Sequence, residues 1–417
     1  MLVAAYVLVV LAVDPRGLAL WIAFAGVLFA GPVGGVYAAF VTAQRRYTLA
    51  TLRIPLMTAV ALVTAVVLLA VWDSIAALAV AISVGQLVSL GLLVTRERWL
   101  PAPAGDESDR RGLGFRVLGP AGSVFVATLV GAQLIVLVER FLASTVADGA
   151  VTLLVNARGF VLVPAIAAQA LGSGVFPAAT ERYRALGREG LANLALVAVR
   201  LASVIAAVSA AYIAICGQEL IEVALQRGKF DQGDTVRTAR LIAIMAPSLL
   251  GISAAAVAGK ALFGLGRQRL VAAVTGTGVV LYIGAAVGLR GHWAVEGLAA
   301  AFLISSLVTG LALALALALV LDLRARAAFR DWLVAPAAFG AVFTAAAGAV
   351  WLAMGRGEEG VLTALATLAA AGVAGLAALA VAIVAVRGSE YELLRRGLRG
   401  APIGRALVER WLPAPGR

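Results

Sequence analysis

The sequence predicts an all-α, polytopic membrane protein of about twelve transmembrane helices arranged in two lobes. Three observations carry that reading. Of the 417 residues, 62% are hydrophobic and 13% charged, with a mean hydropathy of +1.00. A soluble domain averages about 25% charged residues because it needs a polar surface. Apolar runs of about twenty residues, the length that crosses a hydrocarbon core of about 30 Å, recur along nearly the whole chain. The loops between them alternate between rich and poor in basic residues, as in a chain that repeatedly crosses a bilayer.

Taken in order, the apolar runs are 1–13, 18–43, 54–72, 75–94, 117–138, 150–177, 191–216, 241–264, 270–289, 297–321, 332–354 and 361–386. The first reaches only about 20 Å as a helix, too short to span unaided. It has no basic n-region and no small-residue cleavage site before Asp14, so it reads as the tail of a longer helix rather than a signal peptide. Residues 1–94 form an N-terminal lobe of four helices. The stretch 95–116, TRERWLPAPAGDESDRRGLGFR, combines Pro, Gly and mixed charge and reads as a cytoplasmic linker. Residues 117–321 form a C-terminal lobe of six helices, and 322–386 add two more. Within that lobe, 217–236 puts Leu220, Val223 and Ala224 on one helical face, away from Glu219, Glu222 and Arg227, and predicts a short interfacial helix on the outer side. The tail 387–417 sets Tyr391, Leu394, Leu398 and Trp411 among arginines and predicts an amphipathic segment on the inner leaflet, where anionic lipid is its partner.

Charge fixes the orientation. One set of loops holds Arg45, Arg46 and Arg53, then Arg96, Arg98, Arg110, Arg111 and Arg116, then Arg182, Arg184 and Arg188, and the arginine-rich tail belongs to the same side. The opposite loops are sparse, with Arg16, Arg140, Arg227, Lys229, Arg237, Arg290 and Arg356. Both termini are therefore expected in the cytoplasm of a bacterial cell, with the chain in its cytoplasmic membrane. The same distribution accounts for a pI near 10.9 without any nucleic-acid partner.

The chemistry of an enzyme is not expected. Cys216 is the one cysteine and His292 the one histidine, which excludes a disulfide framework and a His- or Cys-based metal site. The chain contains no GxxxxGK[ST] phosphate loop, no HExxH and no paired carboxylates at membrane depth. No cofactor is implied. Any transport must draw on an ion gradient, the membrane potential or the substrate gradient.

Cations within the apolar runs are the candidate binding residues, because a charge inside a bilayer is costly and faces a cavity or a partner. Arg240 and Lys260 lie near the ends of their run, where long side chains reach the interface. Arg200 lies about 13 Å deep, with Glu139 or backbone carbonyls as its candidate partners. Arg158 is the sharpest case, well inside its run beside Asn156 and Gly159 and ahead of the helix-bending Pro164. A guanidinium there binds phosphate bidentately or ties its helix structurally to the preceding one. Substrate-binding candidates are thus Arg158, Asn156, Arg200 and Lys260. Thr128, Gln133 and Glu139, on the run before, are candidates for coupling to sodium or protons, or else hydrogen-bond between helices for packing. His292 and Trp293 read as a solvated side chain and an interface anchor.

From Arg116 onward, the blocks VLGPAGSVFVATLVGAQ (117–133), VERFLAS (138–144), VNARGFVLVPAIAAQALGSGVFPAATERY (155–183), ELIEVALQRGKFDQGDTVRTA (219–239) and APSLLGISAAAVAGKALFGLG (246–266) occur in an order that resembles the MurJ/MviN family. These are the lipid II flippases of the multidrug/oligosaccharidyl-lipid/polysaccharide exporter superfamily. The resemblance implies a two-lobed bundle that alternates between inward- and outward-open states and moves lipid II to the outer leaflet. It also implies a central cationic cavity for the pyrophosphate headgroup, with Arg158 at the position of a functionally important arginine. Glu139 stands where that family usually has Asp. The family has fourteen helices, and the twelve runs here correspond to the third helix onward, so the first two are expected to be missing from this chain. Alternative readings are a flippase for another cell-wall glycan carrier, a drug/cation antiporter of the same superfamily, or a non-transporting membrane scaffold that recruits cell-wall synthesis enzymes.

Overall fold

Helix is what these apolar runs must form, because a bilayer offers no partner to an open backbone N–H or C=O. The computed structural model describes residues 30, 33–34, 47–71, 75–99, 135–322, 332, 334–354 and 360–386, and among them every regular element is helical. Runs 1–13 and 18–43, most of 117–138, and the tail 387–417 lie outside the described residues, apart from Ala30, Val33 and Gly34. The chain divides into two units, Met1–Gly114 and Phe115–Arg417.

In the first unit, α1 (Tyr47–Val71) packs on α2 (Ile75–Trp99). Their closest approach is at Gly85, where a Cβ would stand 2.6 Å from the Met57 carbonyl oxygen, so only a glycine lets the helices touch. Arg53 reaches across to donate to Gln86 Oε1 at 3.4 Å. Helix α2 continues through 95–99, which the sequence assigned to a linker. No residue of 95–99 is a proline, so each can donate the backbone bond that continues the helix.

Among the described residues, the second unit comprises α3 (135–144), α4 (Ala150–Ile215), α5 (Gly217–Leu225), α6 (Gln232–Met245), α7 (Ser248–Gly264), α8 (Gln268–Val320), α9 (Ala335–Met354) and α10 (Val361–Val386). Two of these are double. Helix α4 breaks at Gly187, whose φ of 65° is open to glycine and strained for other residues. Helix α8 breaks at Ala294, and its arms run back side by side, with Gly278 against Thr309 and Gly297 against the Leu289 carbonyl. As one rod its 53 residues would measure about 80 Å, so each arm is a span of its own. Val197–Ile215, Pro336–Met354 and Val361–Ala385 are likewise long and apolar enough to cross a membrane.

The run expected at 241–264 proves to be two helices, α6 and α7, bent by 48° where Pro247 leads the second. Helix α6 also begins earlier, at Gln232, because the Asp231 carboxylate caps it by accepting from the Asp234 N–H at 2.8 Å. The polar segment before it is correspondingly shorter. In α5 the buried residues are Gly217 and Ile221, while Ala224, expected on the apolar face, is exposed. The helix turns Ile221 inward because it packs on α6 and α10 as well as facing outward.

Three apolar clusters hold the unit. The first joins α3, both arms of α4, α5, α6 and α8 through Leu142, Leu154, Val161, Ile213, Ile242 and Leu298. The second joins the second arm of α4, α7 and α8 through Val199, Leu262, Val271 and Leu317. The third joins the end of α4 to α9 and α10 through Cys216, Phe343 and Ala371. Helix α7 meets the second arm of α8 backbone to backbone: a Cβ on Gly251 would run into the Ser306 carbonyl, and one on Gly310 into Gly251 itself. Leu62, Val63, Val66 and Val67 of α1 and Leu362, Val373 and Val381 of α10 stay more than half exposed, as surfaces suited to lipid.

Candidate functional site

Arg158 lies in the first turns of α4, where Ala157 and Val161 are buried in the first cluster and hold the helix against α3 and α8. Its Nη1 donates to Glu139 Oε2 of α3 at 2.6 Å, and the same oxygen accepts from the Tyr282 hydroxyl of α8 at 3.0 Å. The guanidinium carbon lies over the ring of Phe302, on the returning arm of α8, 4.6 Å from the ring centroid. Side chains from three helices thus converge on one charge pair, with both arms of α8 contributing. Glu139 is sealed, with 4% of its side chain exposed, while Arg158 keeps 18%.

That asymmetry matters chemically. An isolated carboxylate at this depth would be costly, and the pair is tolerated because the charges compensate each other and the hydroxyl satisfies the oxygen further. An arginine carries five N–H donors. One is spent on Glu139, and no other described residue takes a hydrogen bond from Arg158. A compensated but donor-rich guanidinium with an accessible edge has the fork geometry that a phosphate oxygen pair requires.

The other candidates fall elsewhere. Asn156 is on the same helix, but residues two apart lie on opposite sides, so it does not share Arg158's face. Lys260 Nζ of α7 donates to the Gln169 carbonyl at 3.0 Å, about 16 Å further along α4 than Arg158. Arg200, on the second arm of α4, is partly buried beside Val199 and Ala202 of the second cluster. The partner the structure gives Glu139 is Arg158, not Arg200. Arg158 and Lys260 are therefore staggered along α4 rather than gathered in one clamp. Thr128 and Gln133 lie outside the described residues. Glu139 is placed in the charge pair, with the Tyr282 hydroxyl beside it, and no group of three or more His, Cys, Asp or Glu side chains that could hold a metal ion occurs among the described residues.

Arg240 forms a loose pair with Glu296 at 3.6 Å, close to His292 and Trp293, which are exposed. Two participants at the charge pair were not visible in the sequence. Tyr282 and Phe302 sit inside apolar runs, where a ring reads as core. A lone tyrosine amid GTGVVLYIGAAVG is the one signal, since a hydroxyl buried there needs a partner.

The model of the lipid II flippase MurJ family matches residues 24–384. Among solved structures, that of lipid II flippase MurJ in an inward closed conformation is similar, with a TM-score of 0.60 at 11% sequence identity. The match covers 80% of this chain and 68% of that one, and at this identity it speaks for the fold alone. No curated protein matches the chain by sequence.

Proposed function

The chain belongs to the lipid II flippase MurJ family, and on that premise we propose that it carries lipid II from the inner to the outer leaflet of the cytoplasmic membrane. The observation that supports a specific role is Arg158, held by one carboxylate yet with most of its donors available. The pyrophosphate of the lipid is a dense anion that needs a fixed cation in a place shielded from bulk water. Arg158 supplies it through two parallel N–H donors, while the polyprenyl tail stays in the bilayer.

The Glu139 carboxylate and the arriving phosphate compete for the same guanidinium. Loading the substrate therefore loosens the tie between α3 and α4, and releasing it restores the tie. This makes the charge pair the element that couples occupancy to conformation. Sodium, protons or the membrane potential reset the cycle, with Glu139 as the group that gains or loses a cation when Arg158 turns to phosphate. Both termini face the cytoplasm, by the excess of arginine on that side. Anionic lipids hold the basic loops, and cell-wall synthesis enzymes are the partners that consume the product.

Arg158→Ala and Arg158→Lys in proteoliposomes loaded with labelled lipid II test this. Losing a charged hydrogen bond of about 1.5–3 kcal/mol lowers translocation by roughly ten- to hundredfold. Lysine keeps the charge and loses the fork, so it recovers only part of the rate. Unchanged translocation by a folded Arg158→Ala protein would remove Arg158 from the mechanism.

A further inference from the structure

A second polar group lies where α8 reverses, apart from the Glu139–Arg158 pair. The turn is made at Ala294, with φ 47° and ψ −124°, a positive-φ conformation that glycine adopts more readily than alanine. Backbone strain of this kind persists where surrounding structure imposes it, and it recurs at ligand clamps. Here the turn and the facing helix α6 border an open cavity of about 520 Å³, lined by Arg240 and Ile244 on one side and His292, Trp293 and Glu296 on the other. That volume is within the range of small-molecule sites.

The lining specifies the kind of ligand. Arg240 and Glu296 stand 3.6 Å apart, with 72% and 34% of their side chains exposed, so they offer donors and an acceptor side by side without net charge. Neighbouring hydroxyl groups match such a pair, one accepting from the guanidinium and the next donating to the carboxylate. Trp293 is 57% exposed in the same cavity, presenting an apolar ring to whatever enters. His292 adds a nitrogen that donates or accepts, and Ile244 supplies an apolar wall. A pyranose has one face of C–H groups and a rim of hydroxyls, and these two surfaces fit the indole and the Arg240–Glu296 pair. An anion would meet Glu296, and a purely apolar ligand would strand both charges.

We propose that the cavity between the α8 turn and α6 is a binding site for a neutral pyranose saccharide, with Trp293 as the stacking platform and Arg240 and Glu296 as the hydroxyl readers. The site stands independently of the flippase reading. A free sugar and the sugar of a glycolipid headgroup present the same chemistry to it.

The test is saturation-transfer NMR on the full chain in nanodiscs, with N,N′-diacetylchitobiose and maltose as the probes. Saturable transfer to ring C–H protons of at least one sugar is expected, weakened about tenfold or more by Trp293→Ala and by Arg240→Gln, with unchanged circular dichroism. Arg240 is exposed, so its variant keeps the test valid if the tryptophan variant misfolds. A parallel lipid II translocation assay separates the sources. A raised KM in Trp293→Ala assigns the site to the headgroup sugar, and unchanged translocation beside lost sugar binding assigns it to free saccharide. No saturable transfer from either sugar, transfer indifferent to both substitutions, or Trp293-dependent retention of anionic phospholipid instead of sugar overturns the proposal. A chain that binds sugar yet moves no lipid II refutes the flippase reading alone.

Discussion

Two cations meet the first arm of α4 at different heights, and the protein holds them by different means. Arg158 is fixed by a carboxylate on α3, a hydroxyl on the same oxygen from α8, and a ring on the returning arm of α8. Lys260 is fixed from α7 by a backbone carbonyl, at 3.0 Å. A carbonyl dipole is present whatever residue occupies position 169, so the lysine contact is specified by the path of the backbone. The arginine contact is specified by side chains on three other stretches of chain, and a single substitution on any of them reaches it. The two regions also belong to different apolar clusters, with Phe302 in the first and the neighbours of Lys260, Ala261 and Leu262, in the second. Charge compensated by charge is a device that a substrate anion disturbs, whereas charge compensated by a dipole is left standing when an anion arrives.

The largest effect expected from this difference comes from Glu139→Ala. Removing one partner of a buried pair leaves the other charge uncompensated, which costs about 3–5 kcal/mol. The unfolding midpoint in detergent, followed by circular dichroism, should fall by far more than for any substitution at Lys260. Glu139→Leu combined with Arg158→Leu should recover most of that loss, since neither charge then remains buried alone. A double variant as unstable as the single one would mean that Glu139 supports the fold through something other than Arg158.

Tyr282→Phe is expected to have a smaller effect. It removes one hydrogen bond to Glu139 and leaves the ion pair and the packing of the ring in place. The loss should be about 1–2 kcal/mol, in the upper range for interhelical hydrogen bonds within membranes. Measured in an Arg158→Leu background, the same substitution should have a different effect, because both groups share the Oε2 atom. Strict additivity would show that the three side chains do not act as one network.

How much of this was readable in the sequence follows the same division. Helices announced themselves as apolar runs, and the α8 reversal as the polar GHW between two of them. The α6–α7 bend was less visible, since Pro247 permits both a kinked span and a new helix start. Arg158 stood out because a charge in an apolar run is rare, but its partner did not. Glu139 was equally available to Arg200, and only the packing of α3 on α4 decides between them. Phe302 was silent, since a phenylalanine in a membrane helix has no need of a charge nearby, and Tyr282 signalled only that its hydroxyl needs some partner. Ile221 shows the same limit on a smaller scale: helical periodicity ranks the faces of α5, while the inward face was set by α6 and α10. Sequence shows which side chains must be compensated, and the long-range packing that selects the compensating group is not a local property.

Lys260→Met carries the smallest expected effect and sharpens the comparison most, because the Gln169 carbonyl that Lys260 meets is a dipole rather than a full charge. Methionine keeps a long flexible stem of similar reach, so packing against the second cluster is largely retained. The lost bond to the Gln169 carbonyl is worth about 0.6 kcal/mol, the average for interhelical hydrogen bonds in a bilayer. Part of that is returned, because the ammonium no longer has to be held at the edge of an apolar run. The unfolding midpoint should therefore move by little in either direction. Translocation distinguishes the two cations further. If Lys260 meets the lipid phosphate after Arg158 releases it, Lys260→Met slows the cycle while leaving stability untouched. If Lys260 only pins α7 to α4, both readouts stay near their original values, and the burden of recognising the anion falls on Arg158 alone.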